Sequence, residues 1–353
     1  MKKSTILKII SKNIQIWFFK LTFQRSKIVP YKLFIMITHD CNSKCLNCGI
    51  WKINKESPAI KEKELSLTHF EKLFREYGKH LIWLNLMGGE TTLHKDFSTI
   101  IDLARKHCPQ LSLITFTTNG LLPQRVLKNA LYIKDAGFDL FVTVSLDGDQ
   151  KLHDSIRGVK NSYQKAQETF QLLSSNNITC YFGTVISEKN NDFINAEYEK
   201  RRNEIKAITI IHEDGCYSQA NKVNDEIIMN SLETIYKYFK IKNLHEIIEK
   251  IYIKIGYFFL KEGRQSNLIQ CDALSSCFHI SPYGGVAPCM YLPELGNIKD
   301  ENLLDIFKNS KSDRARKKIR AGDCPHCWLN CYAPHSIMQH PIESLKYYMF
   351  KKI

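Results

Sequence analysis

Six apolar, β-rich runs mark out the first two thirds of the chain, and stretches of helical period fill the gaps between them. That rhythm narrows the fold more than any other feature. The runs are Leu33–Thr38, Leu81–Met87, Leu111–Thr117, Leu140–Leu146, Ile178–Ile186 and Ala207–Ile211. Between them Phe70, Leu73, Phe74 and Tyr77 recur at helical spacing, as do Phe97, Ile100, Ile101 and Ala104, and again Tyr163, Ala166, Phe170 and Leu173. Strands that are apolar along their length are buried on both faces, so the pattern predicts a parallel sheet covered by helices. Six strand–helix units in about 180 residues are too few for a closed eight-unit barrel. The expected fold class is α/β: a partial (β/α)6 TIM-like barrel with a small C-terminal cysteine-rich metal-cluster domain.

A length of 353 residues suits about two domains. Residues 1–30 form a basic segment with Ile6, Ile9, Ile10, Ile14, Trp17, Phe18, Leu21 and Phe23 set among lysines. Such a segment packs on its own domain or lies as an amphipathic helix on an anionic membrane surface. The barrel is expected over 31–215, a helical spacer rich in Ile and Lys over 216–270, the cysteine-rich unit over 271–335 and a tail over 336–353. The balance is basic, 50 Lys+Arg against 36 Asp+Glu, a net +14. Eight of the cations precede the first acid, Asp40, and another group runs Lys311, Arg314, Arg316, Lys317, Lys318, Arg320. Local clusters of this kind read as solvated faces as readily as a nucleic-acid footprint.

The chain has 12 cysteines, and they are not scattered. Cys41, Cys45 and Cys48 form one group; Cys271, Cys277, Cys289, Cys324, Cys327 and Cys331 form another. Cys108, Cys180 and Cys216 stand alone and are expected in the core. The apolar N-terminal stretch is broken by Lys8, Lys12 and Lys20 and offers no small-residue cleavage site, so no secretory signal is read. The expected setting is a reducing cytoplasm, where clustered cysteines mean metal rather than disulfides.

In a parallel α/β sheet, binding residues collect where strands end. Here the first strand is followed by His39–Asp40 and Cys41-x3-Cys45-x2-Cys48, the second by Gly88–Gly89–Glu90, and the third by Thr118–Asn119–Gly120. The fourth ends in Ser145–Leu146–Asp147–Gly148, with His153, Asp154, Arg157 and Gly158 soon after. Three thiolates within eight residues can wrap one metal centre. Zinc would need a fourth ligand, for which His39 is the candidate. A [4Fe–4S] cluster held by three cysteines would instead leave one iron open to a small chelating ligand such as an amino acid. Gly88 and Gly89 would let backbone approach that ligand's amine, Glu90 would pair with its charge, and Ser145 and Arg157 could hold its carboxylate.

Cys41-x3-Cys45-x2-Cys48 after a first strand, with Gly88–Gly89–Glu90 after the second, resembles the radical S-adenosylmethionine (radical SAM) enzymes over about residues 31–215. The resemblance implies that the open iron chelates S-adenosylmethionine and that an electron from the cluster breaks its sulfonium C–S bond. The 5′-deoxyadenosyl radical so formed abstracts hydrogen from a substrate. It implies cofactor contacts from Gly88, Gly89, Glu90, Asn119, Ser145, Asp147, Arg157 and Asn190, and a low-potential electron donor of the flavodoxin or ferredoxin type. The family usually has an aromatic residue just before the third cysteine; this chain has Asn47.

Cys277-x6-Gly284-x4-Cys289, then Gly296–Asn297–Ile298, a short helix around Leu303–Phe307, and Cys324-x2-Cys327-x3-Cys331 resemble the SPASM/twitch auxiliary-cluster domains over about 271–335. The full SPASM form has seven or eight cysteines for two clusters. Six imply one auxiliary [4Fe–4S] cluster, on Cys277, Cys289, Cys324 and Cys327 or on Cys271, Cys277, Cys289 and Cys331. A zinc ribbon is the other reading of these pairs.

The expected activity is radical SAM chemistry on a peptide, a protein or a small molecule such as a sugar derivative. Only about 30 residues precede the barrel, which weighs against a separate peptide-binding domain. The basic balance would suit an anionic substrate. The rivals are a zinc-knuckle nucleic-acid-binding protein, which leaves Gly88–Gly89–Glu90 without a role, and an electron carrier, which does not need Glu90, Ser145 or Arg157. Nucleic acid is not the expected partner.

Overall fold

In the computed structural model, residues 1–212, 223–264 and 267–353 are described. All six expected strands are present: β1 (Lys32–Thr38), β2 (Trp83–Gly88), β3 (Leu113–Thr118), β4 (Asp139–Ser145), β5 (Cys180–Ile186) and β6 (Ile205–Ile210). They pair in parallel, in sequence order. Helices Leu67–Tyr77, Phe97–His107, Pro123–Asp135 and Ser162–Ser175 return the chain between strands. They press Phe70, Leu73, Phe74, Ile100, Ile101, Val126, Ile133, Ala166 and Leu173 onto Leu84, Leu86, Ile114, Phe116, Val142 and Val144. Each large apolar side chain so buried contributes roughly 1.5–3 kcal/mol.

The opposite face differs from the expectation of strands buried on both sides. Side chains alternate along a strand, and of these six strands only β1 is buried at every position. On the inner face Asn85, Thr115, Thr143, Tyr181 and Thr209 are half-buried and Thr117 is exposed. This concave face is a lumen lined by hydroxyl and amide groups. Asn85 Nδ2 and Trp83 Nε1 both donate to Thr115 Oγ1, at 2.7 and 2.9 Å.

The cysteine-rich unit extends the same sheet. β7 (Cys277–Ile280) pairs in parallel with the other edge of β1, and β8 (Gly285–Ala287) and β9 (Gly296–Asn297) follow antiparallel. The result is one nine-stranded sheet, β6-β5-β4-β3-β2-β1-β7-β8-β9. Phe278, Ile280, Leu303, Ile306 and Phe307 belong to the barrel's own core cluster. Phe278 lies 5.3 Å from Tyr77 and 4.9 Å from Phe307 between ring centroids. A segment too poor in apolar residues for a core of its own therefore shares its neighbour's.

The described residues of the expected spacer form barrel wall instead. Helices Asp225–Tyr238 and Leu244–Lys261 bury Ile228, Leu232, Ile235, Tyr252, Ile255 and Phe259 in the same core. Buried Glu246 on the second helix pairs with buried Lys206 of β6 at 3.4 Å. Nor is 336–353 a loose tail, because helices Ala333–Gln339 and Pro341–Phe350 run through it. Cys108 and Cys180 are buried as expected; Cys216 and the expected boundary at 215 lie outside the described residues.

Helix Lys3–Leu21 lies across the amino ends of the strands. Its Ile9 and Ile16 pack with Ile28, Tyr31, Ile82 and Leu113 and against Trp83 and Phe141. The Lys2 backbone N–H donates to Asp139 Oδ2 at 2.8 Å, and Lys8 Nζ to Ser112 Oγ at 2.9 Å. One face of this helix thus closes the bottom of the lumen, and the side opening to chemistry is the carboxyl rim.

Candidate active site at the carboxyl rim

The loop after β1 that carries Cys41, Cys45 and Cys48 is held by helix Gln150–Arg157, which follows β4. The backbone N–H groups of Lys44 and Leu46 donate to the carbonyls of Arg157 and Ile156, both at 2.9 Å. The helix ends at Gly158, whose φ is +63° and whose added Cβ would come within 2.6 Å of the Lys44 carbonyl oxygen. Glycine is required there both for the left-handed turn and for the close approach.

Donors converge on the sulfurs. Ser43 N–H faces Cys41 Sγ at 3.5 Å, Asn119 Nδ2 faces the same sulfur at 3.9 Å, and Arg157 Nη1 faces Cys45 Sγ at 3.8 Å. Asn119 also donates to Asn42 Oδ1 at 2.7 Å and accepts from Leu121 N–H, so it ties the β3 end to the cysteine loop. Burial pushes the Cys41 thiol up to about 12 and raises Cys48 as well. Thiols that hold their protons so firmly are poor nucleophiles, but a bound metal deprotonates them outright. Three thiols with hydrogen-bond donors aimed at sulfur fit an iron–sulfur cluster, whose potential such donors tune.

The glycine pair has a structural job at the root of the cysteine loop. Gly88 has φ +148°, and an added Cβ would lie 2.3 Å from the Thr38 carbonyl oxygen; at Gly89 it would lie 2.3 Å from that of Asp40. Gly89 N–H donates to Thr38 O at 2.9 Å and Glu90 N–H to Asp40 O at 2.7 Å. The pair lets β2 close against the root of the cysteine loop. Glu90 itself is buried. Its Oε1 accepts from Thr92 N–H (3.2 Å), Thr92 Oγ1 (2.6 Å) and Thr118 Oγ1 (3.0 Å), and its Oε2 from Asn119 N–H (2.7 Å). Burial raises its pKa, and these donors pull the other way. Oε2 retains the capacity for a further donor.

Arg157 is already engaged. Its Nη2 lies 2.6 Å from Asp147 Oδ2, with both side chains largely buried. Asp147 also accepts from Val185 N–H at 3.2 Å, and its own N–H donates to His153 Nδ1 at 3.1 Å. Arg157 thus links the β4 end to Cys45. Leucine at 157 would strand the Asp147 carboxylate in the interior, at a cost of about 3–5 kcal/mol. The expected result is a lower urea midpoint together with lower iron content after reconstitution; an unchanged midpoint would mean that the pair carries no stability.

Ser145 stands at the end of β4 and, among the described residues, its hydroxyl makes no hydrogen bond. Asn190, fully buried, is spent locally: its Oδ1 accepts from Ser187 N–H at 2.9 Å and its Nδ2 donates to Val185 O at 2.9 Å, which closes the turn after β5.

The six C-terminal cysteines also come together. Cys277 and Cys289 are buried with Phe34, Leu329 and Tyr332, and Cys271, Cys327 and Cys331 pack around them. Cys271 and Cys327 lie within electrostatic reach of each other and each of Cys289 and Cys324, and Cys277 lies within reach of Cys271. Burial pushes Cys271 up to about 12 and raises Cys277, Cys327 and Cys331. One residue escaped the sequence reading. Lys32 opens β1 and stands opposite Cys277 in the register. It is buried, with its ammonium 3.3 Å from the Trp83 ring centroid. The cue was a lysine heading an otherwise apolar strand.

A half-barrel that gathers thiols on both sides of its first strand defines an iron–sulfur enzyme of the partial-barrel class. Residues 35–196 match the Radical SAM superfamily and residues 271–332 match SPASM, an iron-sulfur cluster-binding domain. The chain is a radical SAM enzyme with a C-terminal SPASM domain: the first binds S-adenosylmethionine and a [4Fe–4S] cluster, the second auxiliary iron–sulfur. It is 25% identical over 292 residues to the antilisterial bacteriocin subtilosin biosynthesis protein AlbA of Bacillus subtilis (strain 168), covering 80% of this chain and 60% of AlbA. It is 25% identical over 324 residues to the mycofactocin maturase MftC of Mycolicibacterium smegmatis, covering 86% of this chain and 77% of MftC. Among solved structures, anSMEcpe with bound AdoMet and Cp18Cys peptide superposes with a TM-score of 0.61 at 18% identity, over 90% of this chain and 96% of that one. At that identity the likeness speaks for the fold.

Proposed function

We propose that the enzyme matures a peptide, abstracting hydrogen from one residue held in the lumen. Cys41, Cys45 and Cys48 hold the cluster that binds S-adenosylmethionine, and four of the six C-terminal cysteines hold one auxiliary cluster. S-adenosylmethionine at the first cluster supplies the 5′-deoxyadenosyl radical. The chain's own residues position and shield. Glu90 Oε2 and the Ser145 hydroxyl face the cofactor's amino-acid end, beside the Gly88–Gly89 backbone. Asn119 and Arg157 hold sulfur, while Asp147 and Asn190 fix the strand ends that carry the site. A flavodoxin- or ferredoxin-type protein delivers the electron.

The observation that carries the substrate class is the lining of the lumen. Asn85, Thr115, Thr117, Thr143 and Thr209 offer uncharged hydrogen-bonding groups, suited to a peptide backbone and a neutral side chain. The basic excess sits elsewhere, on the N-terminal helix and on helix Ser310–Ala321, so it does not argue for an anionic reacting group. AlbA and MftC, named for bacteriocin biosynthesis and for maturation, support the peptide reading.

The test is anaerobic turnover with synthetic peptides encoded beside the enzyme's own reading frame. One of them should raise 5′-deoxyadenosine release above the uncoupled rate and lose hydrogen by mass. Stimulation by sugar alcohols alone, with every peptide inert, would sink the proposal. Glu90→Gln should weaken S-adenosylmethionine binding about ten- to a hundredfold, because a charged hydrogen bond of roughly 1.5–3 kcal/mol is lost. Equilibrium dialysis at unchanged iron content reads this directly, and an unaltered affinity removes Glu90 from the cofactor site.

A further inference from the structure

The N-terminal helix Lys3–Leu21 is apolar on two faces, and the barrel uses only one of them. Thr5, Ile9 and Ile16 are buried against the strand ends. On the other side Leu7, Ile10, Ile14, Trp17 and Leu21 recur at alternating spacings of three and four, with exposures between 41% and 65%. Phe18 is 55% exposed, and Phe23, just past the helix, is 90% exposed. Isolated exposed apolar residues need no explanation, but a continuous stripe over the whole length of a helix marks a surface that something covers.

The charges around the stripe are of one sign. Residues 1–31 contain seven Lys and Arg and no Asp or Glu. Lys3 stands exposed at the start of the helix, and Arg25 and Lys27 stand exposed just after its end. Lys12 and Lys79 both face His80. The acids that come near are already taken up: Asp139 by the Lys2 backbone N–H and Asp272 by Lys20, at 2.5 Å in a buried pair. The C-terminal helix Pro341–Phe350 starts beside the same end, with His340 near Lys20 and Arg25. It exposes Ile342, Leu345, Met349 and Phe350 among Lys346, Lys351 and a single acid, Glu343. A partner helix of a coiled coil would ask for flanking charges of both signs. An apolar stripe with interfacial Trp and Phe, rimmed only by cations, matches an anionic lipid surface. No helix among the described residues is long and apolar enough to cross a membrane.

We propose that the exposed face of helix Lys3–Leu21 docks the enzyme on an anionic bilayer, lying in the headgroup plane while its inner face stays in the barrel. The helix closes the amino end of the sheet. Docked in this way, the enzyme turns the cysteine rim and the lumen mouth away from the membrane, toward the aqueous phase.

The experiment uses the full-length protein and sedimentation with vesicles of phosphatidylcholine alone or mixed with phosphatidylglycerol. At least tenfold more protein should sediment with the anionic vesicles, and the excess should fall as salt rises. The exposed positions are substituted rather than the helix deleted, because Ile9 and Ile16 belong to the core. Ile14→Gln with Leu21→Gln should reduce sedimentation at least tenfold, while the thermal midpoint and the uncoupled cleavage of S-adenosylmethionine stay unchanged. A Trp17→Phe variant identifies that residue's emission, which should move to shorter wavelength on binding. Equal sedimentation with neutral and anionic vesicles overturns the proposal, as does full binding by the double variant. A dimer in vesicle-free solution that the double variant dissociates would assign the face to a second copy of the chain, and would overturn it too.

Discussion

Enzyme in which Cys41, Cys45 and Cys48 are all alanine is expected to make no 5′-deoxyadenosine above the blank, and to lose about four irons per chain. The three thiols are the only cysteines on the loop after β1. Donors from Ser43 and Asn119 reach the Cys41 sulfur, and one from Arg157 reaches that of Cys45. The fold should survive, because the loop backbone hangs on the carbonyls of Ile156 and Arg157 rather than on sulfur. Far-UV circular dichroism should therefore match the parent while cleavage disappears. Cleavage at the parent's rate under strong reductant would remove these cysteines from the site.

Replacing Cys324 and Cys327 together acts on the other side of β1. Iron should drop from about eight to about four per chain, S-adenosylmethionine should still be cleaved, and substrate turnover should stop. Metal-organised segments lose their fold with the metal, but the sheet limits how far this spreads. β7 stays hydrogen-bonded to β1, and Phe278 and Phe307 stay in the barrel core. Proteolysis should therefore cut between residues 288 and 332 and spare 277–280. Intact protein holding about four irons and one zinc would overturn the auxiliary cluster and leave the first untouched.

The elements that could be read from sequence were those whose burial is periodic. All six strands stand within about two residues of the predicted bounds, and the stripes Phe70–Tyr77 and Phe97–Ala104 are the buried helix faces. A periodic pattern shows that a face is buried but not what buries it. The two helices between 225 and 261 therefore looked like a spacer, although they are apolar enough to be barrel wall. The polar alternation of Asn85, Thr115, Thr117 and Thr143 was present in the strands but was masked by their aliphatic neighbours. Glu90 follows β2 and Arg157 ends the helix after β4, so their place near the strand ends could be read from the chain. Their internal partners, Thr92, Thr118, Asn119 and Asp147, depend on how the ends of three strands meet, which spacing along the chain does not encode. Lys32 was missed because its neighbour Cys277 is brought beside it only by the pairing of β1 with β7.

That pairing sets a condition on synthesis. β1 is made before β2 and long before β7, and one of its two edges finds β2 soon after. The other edge waits for β7, which emerges only after most of the chain has been made. Throughout that interval the nascent protein presents the unpaired edge of a strand that is apolar from Leu33 to Ile37, the kind of surface on which chains stick to one another. Slow translation or early termination before residue 277 should therefore be more harmful than loss of any peripheral helix, and soluble yield should depend on chaperones that hold the nascent chain until its last third arrives.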